Sequence, residues 1–155
     1  VGWLMRANAN PPMIAIGIGK HHYSCKGIEE NREFSISIPG KDLLIETDYS
    51  GIVSGEKVDK SKLFDLFYGE TKNAPLIKNA IVNYELKLKE TLEFETNNVY
   101  VGEIVACWAN EKYFNGKYPD YHKGEAFFLT MPDNTYWAFG ENIGKAWSDG
   151  RNYNT

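Results

Sequence analysis

A short basic loop carries the residues whose types and spacing most suggest chemistry. Residues 13–18 form a continuous apolar run behind two prolines, which is too short for an independent helix and predicts a buried strand. Residues 23–30 have a helical pattern, with Ser24 as the expected N-cap and Asn31 as the stop signal. Between them, residues 19–22 (Gly-Lys-His-His) would meet helix N–H groups and the positive end of the helix dipole. The sequence therefore predicts an anion site, with phosphate as the leading candidate.

Other interpretations of this loop stay open. A tight connection with solvated basic side chains fits the same residues. The dinucleotide-binding glycine pattern is excluded because His22 stands where its third glycine belongs, and Ile14 and His21 exclude a Walker loop. His21, His22 and Cys25 could form part of a metal site, but no fourth ligand has suitable spacing, so we predict no metal. A phosphate site here would belong to a different fold.

Composition limits the class of protein and its partners. A chain of 155 residues is expected to form one domain with a core of its own. Its 17 basic and 21 acidic residues give a net charge of −4, so we expect no nucleic-acid partner, and any positive site must be local. Cys25 and Cys107 lie far apart without a CxxC motif, and no apolar run approaches the roughly 18 residues that span a bilayer. We therefore expect a cytoplasmic protein with no membrane partner.

The elements that must position the loop are mainly strands. Aromatic residues make up 14% of the chain, which favours pleated, half-buried surfaces. Strands are predicted over residues 1–7, 13–18, 32–38, 127–130 and 135–139, with a β-hairpin over 80–109 that turns at 96–98. Helices are predicted over 41–52 and 140–147, with a helical turn at 62–68. We expect Lys87 and Lys89 to face solvent, Cys107 to be buried and His122 to lie in a surface loop. This order predicts a small β-barrel with helical insertions.

Three segments together resemble the flavin reductase-like family: residues 19–24, 33–39 and 49–60. Residues 74–77, 101–105 and 136–141 extend the resemblance over nearly the whole chain in order and spacing. The resemblance implies a mainly β fold, an FMN-binding split β-barrel of Greek-key type with a few short helices. It also implies a single domain over residues 1–155, whose first strand is incomplete at the N-terminus.

The resemblance implies FMN as cofactor and a homodimer with FMN near the subunit boundary. It implies an NAD(P)H-dependent flavin reductase or a related oxidoreductase, with NADH or NADPH as the small-molecule reductant. The alternative is a flavoredoxin-like electron-transfer protein that a partner protein reduces, with no pyridine-nucleotide site. A third, weaker alternative is a structural dimer that has lost the flavin. No residue stands out as a general acid or base, so no catalytic residue is assigned.

The resemblance also assigns cofactor contacts. The family's phosphate loop falls on residues 20–24, where His22 stands in place of a common arginine, so phosphate affinity is expected to depend on pH. A second loop matches residues 54–60, and only residues 1–3 of the first flavin-contacting strand are present. Tyr136 and Trp137 are either stacking residues or aromatic core. The implied FMN contacts are Val1, Gly2, Trp3, Lys20, His21, His22, Tyr23, Ser24, Ser37, Ser54, Gly55 and Lys60.

Overall fold

The computed structural model describes residues 2–153. Its strands are β1 (Trp3–Asn8), β2 (Met13–Gly19), β3 (Glu33–Ile38), β4 (Leu66–Phe67), β5 (Leu76–Ile77), β6 (Val82–Glu93), β7 (Asn97–Ala109), β8 (Phe127–Thr130) and β9 (Thr135–Ala138). The helices are α1 (Ser24–Asn31) and α2 (Leu44–Ile52), with 3₁₀ turns at Lys41–Leu43, Lys60–Leu63, Glu111–Tyr113 and Asp149–Asn152. Within this range, neither helix combines the length and the apolar character needed to cross a membrane.

One antiparallel sheet organises the fold, with the strand order β1-β2-β7-β6-β3. Within this sheet, β3, β6 and β7 follow one another along the chain and lie side by side. Strand β2 leads through α1 to β3 but pairs with β7, the last strand of this group. This arrangement is a Greek key. Two small hairpins, β4-β5 and β8-β9, lie outside the main sheet. The mainly β, Greek-key fold predicted from the sequence is confirmed.

The main hydrophobic core lies on one face of this sheet. Alternate residues of β2, namely Ile14, Ile16 and Ile18, are buried there, as the apolar run predicted. Helix α1 closes this core with Cys25 and Ile28, the apolar side chains of its first two turns. A second, smaller cluster forms around Ile81, Tyr113 and Ala126. The chain thus has two apolar clusters in place of one continuous core.

The predicted hairpin over 80–109 is confirmed as β6 and β7, but its turn lies earlier than expected. Asn97 and Asn98 belong to β7, because both pair with β2 and Asn98 also lies opposite Glu93 at the end of β6. The solvent exposure of Lys87, Lys89 and His122 is also as expected. The helical turn predicted at 62–68 is instead a 3₁₀ turn at Lys60–Leu63 followed by the short strand β4.

Two expectations about apolar residues are wrong. The helix predicted over 140–147 is absent from the described structure: Ile143 and Trp147 are 100% and 93% exposed, so no buried face stabilises it. Cys107 is exposed because β7 runs beyond the core from Val105 onwards. The helix predicted over 41–52 is confirmed: it forms as a 3₁₀ turn followed by α2, with Leu43 buried and no residue of α2 fully buried.

A buried carboxylate holds the segment from β4 to β5 against the sheet. Glu85 lies on the face of β6 opposite the main core and is fully buried. Its oxygens accept hydrogen bonds from the backbone amides of Glu70 (3.0 Å) and Thr71 (2.9 Å), from the Thr71 hydroxyl (2.7 Å) and from Trp108 Nε1 (2.8 Å). Burial alone would raise the pKa of Glu85, but these four donors outweigh it and the pKa is lowered.

Replacing Glu85 by alanine is expected to lower the free energy of unfolding by about 3 kcal/mol, because four donors, two of them fully buried on Thr71, lose their acceptor. Urea unfolding monitored by tryptophan fluorescence measures the change. Since the folded pKa is lowered, the carboxylate stabilises the fold fully above its unfolded pKa. This contribution is lost as the pH falls through the folded value.

Glu90→Ala is the matched control, because Glu90 lies on the same strand with an exposed side chain. It should change stability by no more than about 0.5 kcal/mol. Equal losses in the two variants would show that the Glu85 hydrogen bonds do not stabilise the fold.

Candidate functional site

The basic loop connects β2 to α1 as the sequence predicted. The Lys20 amide donates to the Thr96 carbonyl at 2.9 Å, which ties the loop to the β6–β7 turn. The His22 amide donates to the Gly19 carbonyl at 2.9 Å and closes a tight turn. Ser24 is not the N-cap: it is the first residue of α1, and Tyr23 occupies the cap position without a side-chain hydrogen bond. The helix N-terminus is therefore left without a capping side chain.

Uncapped amides are the first feature of this loop that suits an anion. The amides of His21, Tyr23 and Ser24 donate to no acceptor among residues 2–153. They belong to the turn and the first residue of α1, where the helix dipole favours negative charge. The predicted convergence of N–H groups is thus available to a phosphate group.

Gly19 allows the two imidazole rings to fold back over the end of β2. A Cβ atom at this position would lie 2.8 Å from Cε1 of His21 and 3.2 Å from Cδ2 of His22. The centroids of the two rings are 4.2 Å apart. Any side chain at residue 19 would therefore displace one or both rings from the loop.

The second predicted loop lies against the first. A Cβ atom at Gly55 would lie 3.2 Å from Cδ1 of Tyr23, so the two loops are in close contact. Lys60 Nζ donates to the Ser50 carbonyl at 2.6 Å, which holds its ammonium group in place. Partial loss of water lowers the pKa of His22, and the nearby charges of His21 and Lys60 lower it further. At neutral pH, His22 is therefore a neutral donor beside a fixed cation.

Ser54 comes directly before Gly55, and its hydroxyl forms a hydrogen bond within its own turn. Its Oγ accepts the Glu56 amide at 3.3 Å, and its carbonyl accepts the amides of Lys57 and Val58, both at 3.0 Å. These bonds shape the turn that carries Gly55 towards Tyr23. The structure thus brings together residues 20–24 with Ser54, Gly55 and Lys60.

The opposite flank of the basic loop is acidic. Lys20 Nζ lies 3.8 Å from Oε2 of Glu93, at the end of β6. A polar cavity of about 510 Å³ opens there, and Glu29 and Glu30 of α1 also line it. Carboxylates repel an anion, so a phosphate is favoured on the flank that faces Lys60. Sequence reasoning missed Glu93, because nothing in the local pattern shows that the end of β6 meets residue 20.

Trp3 lies beside the loop at the edge of the sheet. It pairs with Gly17, two residues before the end of β2, and a Cβ atom at Gly17 would lie 3.4 Å from the Trp3 ring. The Trp3 side chain is 56% exposed. Gly2 lies next to Leu129 of β8, and Val1 is outside the described residues. An exposed aromatic ring is thus available to a planar ligand near the anion site.

Three other predicted residues have structural partners away from the loop. Ser37 donates to Oδ1 of Asn83 at 2.6 Å; Asn83 pairs with Trp108, at the opposite end of β7 from the basic loop. Tyr136 donates to Asp48 at 2.9 Å, and Trp137 Nε1 donates to the Thr130 hydroxyl at 3.0 Å. Within one chain, the structure does not bring Ser37 to the other predicted contacts, and its role in cofactor binding stays a prediction.

Cys25 is part of the core, as the simpler interpretation of this residue predicted. It is buried, and its thiol lies 3.5 Å from the Gly19 carbonyl as a hydrogen-bond donor. Across residues 2–153, His, Cys, Asp and Glu side chains form no group of three that could hold a metal ion.

Comparison with known proteins identifies the family. The flavin reductase like domain matches residues 1–122, and the chain belongs to this family. Flavoredoxin from Methanosarcina acetivorans has a solved structure that is 50% identical, with a TM-score of 0.94 over 97% of this chain and 81% of that chain. Flavoredoxin of Desulfovibrio vulgaris (Miyazaki F) is 32% identical, with a TM-score of 0.87 over 96% and 81%. The FMN-binding protein from Thermus thermophilus is 25% identical, with a TM-score of 0.79 over 92% and 78%.

These findings confirm the family resemblance and the split β-barrel fold that the sequence predicted.

The contact between the two loops predicts a specific change in the titration of His22. Lys60→Met should raise the pKa of His22, because it removes a positive charge that disfavours the imidazolium form. NMR titration of the imidazole Cε1 protons measures it, with His22→Gln used to identify the resonance. Lys57→Met, which removes an exposed charge from the same loop, should leave this pKa unchanged. An unchanged pKa in Lys60→Met would contradict the loop contact.

Proposed function

We propose that this chain is an FMN-binding flavoprotein whose phosphate site lies between residues 20–24 and residues 54–60. The observation that carries this proposal is a group of backbone amides at the start of α1 that donate no hydrogen bond. They lie beside His22 and the ammonium group of Lys60. Together they offer several donors and a fixed positive charge to a phosphate monoester. The FMN-binding relative from Thermus thermophilus supports the choice of ligand.

The remaining predicted contacts suit the rest of the cofactor. Residues 1–3 would lie beside the isoalloxazine ring, and the exposed Trp3 ring could pack against it. When bound, FMN supplies the redox chemistry itself. The residues of this chain bind the phosphate, orient the ring and control its access to solvent.

The phosphate site should discriminate between flavins. Lys60→Ala and His22→Ala should each weaken FMN binding about tenfold, because each removes a donor from a charged ligand. They should change riboflavin binding by less than about twofold, because riboflavin has no phosphate. Flavin fluorescence quenching measures both affinities. Lys72→Ala removes an exposed lysine elsewhere and should leave both unchanged. Equal losses of FMN and riboflavin binding would contradict the phosphate site.

The source of electrons separates two candidate activities. Membership of the flavin reductase like family supports an NAD(P)H-dependent flavin reductase or a related oxidoreductase. The two flavoredoxins, at 50% and 32% identity, support the alternative of an electron carrier reduced by a partner protein. Both activities use the same flavin site, so they differ only in whether a pyridine nucleotide can reach the ring.

Anaerobic mixing of the FMN-loaded protein with NADH or NADPH distinguishes the two. A reductase should lose its visible flavin absorbance within seconds, and the loss should saturate with nucleotide concentration. Dithionite is the control, since it reduces the flavin in either case. Bleaching by dithionite but not by either nucleotide would exclude the reductase and favour the carrier.

We also propose a homodimer, because the single chain exposes too much surface. Its accessible surface is 10923 Å², whereas a monomer of 17.6 kDa is expected to expose about 7,900 Å². Exposed apolar side chains lie on neighbouring strands β1, β8 and β9, with Met5, Phe128 and Trp137 among them. Edge strand β1 also offers unpaired backbone groups. We define the β1–β8 face by Met5, Phe128 and Trp137 and propose that it forms the dimer contact.

Sedimentation equilibrium should give twice the 17.6 kDa chain mass. Met5→Glu should shift the protein to monomer, because it places a charge within the β1–β8 face. Tyr118→Glu, at an exposed aromatic residue outside this face, should remain dimeric. A wild-type chain that sediments as a monomer at micromolar concentration would contradict the homodimer.

A further inference from the structure

An open cavity of about 550 Å³ lies beside Ile38, which packs against both apolar clusters. We name it the inter-cluster cavity and define it by Arg6, Asn8, Ile38, Tyr84, Ile104 and Tyr121. Arg6 and Asn8 are exposed, so the cavity opens to solvent on the side of β1. Ligand sites commonly have about 300–1,000 Å³ behind mainly apolar walls.

The walls combine apolar surface with one polar pair. Ile38 and Ile104 pack against the main core but stay partly exposed on the side of the cavity. The hydroxyls of Tyr84 and Tyr121 lie 3.1 Å apart in the wall. Burial and this hydrogen bond raise the pKa of Tyr84, so its hydroxyl stays protonated. A ligand could thus bury an apolar body here and still meet hydroxyl groups.

Arg6 lines the cavity from β1. It pairs with Ile14, on the inward side of β2, and its neighbours on the cavity side are Leu4 and Asn8. Among residues 2–153, no carboxylate pairs with Arg6; its Nε donates at 3.4 Å to the Asn8 carbonyl. The other guanidinium donors stay available. A guanidinium with free donors at an apolar cavity suits a carboxylate, which it can bind through two parallel hydrogen bonds.

The inter-cluster cavity is separate from the basic loop. Asn8 pairs with Met13 at the start of β2, whereas the loop follows Gly19 at the end of the same strand. Six residues of extended chain correspond to about 20 Å. Neither the amides of residues 21–24 nor Lys60 lines this cavity.

We propose that the inter-cluster cavity binds a small aromatic carboxylate of one or two rings, with its carboxylate on Arg6 and its rings between Ile38 and Ile104. The cavity is roughly three to four times the ~150 Å³ that accommodates benzene, so two fused rings fit with room for a substituent. The hydroxyl pair of Tyr84 and Tyr121 contacts a polar group on the ring.

Isothermal titration calorimetry with 2-naphthoate tests this site. The wild-type protein should bind one molecule per chain. Arg6→Gln should weaken binding at least about tenfold, because it removes a charged partner of the carboxylate. Arg151→Gln, an exposed arginine near the C-terminus, should have no effect. Neutral 2-naphthamide should bind the wild type as weakly as 2-naphthoate binds Arg6→Gln.

A blocking variant locates the site independently of charge. Ile104→Trp should abolish binding of both naphthalene ligands, because the larger ring occupies the cavity. Circular dichroism and the urea midpoint establish that each variant is folded before its titration is interpreted. Binding of 2-naphthoate to Ile104→Trp with wild-type affinity would overturn the location.

The remaining outcomes also decide the proposal. Equal binding of the acid and the amide, or an unaffected Arg6→Gln, would overturn the carboxylate assignment. Absence of saturable binding would overturn the site and show that the chain or a second copy fills the cavity. Competition between FMN and 2-naphthoate would show that the cavity belongs to the flavin site. Loss of FMN binding in the basic-loop variants without loss of 2-naphthoate binding would support two separate sites.

Discussion

The pairing between β2 and β7 is the constraint on which the rest of this structure depends. Seven consecutive residue pairs, from Met13 with Glu103 to Gly19 with Asn97, join the β1-β2 hairpin to the β3-β6-β7 meander. Without them the main sheet would divide into two. The same register sets where β2 ends, because the last pair lies next to the turn whose Thr96 carbonyl holds Lys20. The fold and the position of the basic loop therefore have one common origin.

Local charge, and not net charge, gives this loop its chemistry. The chain is acidic overall, yet the loop has amides and a helix N-terminus on the side of Lys60, and glutamates on the side of Glu93. These opposed flanks give an anion one favourable approach. The lowered pKa of His22 makes it a neutral donor. The positive charge beside the phosphate site thus comes from Lys60. Lys20 also carries a positive charge, but it pairs with Glu93.

The sequence alone predicted the strands and the hairpin whose apolar residues follow a clear pattern. The apolar run before Gly19, the alternation in β3 and the β6–β7 hairpin all appear close to their expected positions. It could not predict that Glu85 is buried, because Glu70 and Thr71, which bond it, lie in the irregular connection between β4 and β5, which carries no periodic signal. Nor could it show that residues 140–147 have no surface to pack against. Helical spacing cannot stabilise a segment that buries nothing.

For the candidate site, the local loop was predictable and its surroundings were not. The strand, the loop and the helix follow from residues 13–31. The family resemblance implied that residues 54–60 lie near this loop, and the contact between Tyr23 and Gly55 required the structure. The acidic flank required the three-dimensional arrangement, as did the distance of Ser37 from the loop. Contacts between residues far apart in the sequence cannot be recognised from the local sequence around either residue.

A crystal structure of this chain with FMN tests the central claim most directly. The account predicts the phosphate group within hydrogen-bond distance of the amides of His21, Tyr23 and Ser24, on the flank that faces Lys60. A phosphate bound elsewhere, with these amides occupied by the protein's own side chains, would contradict it.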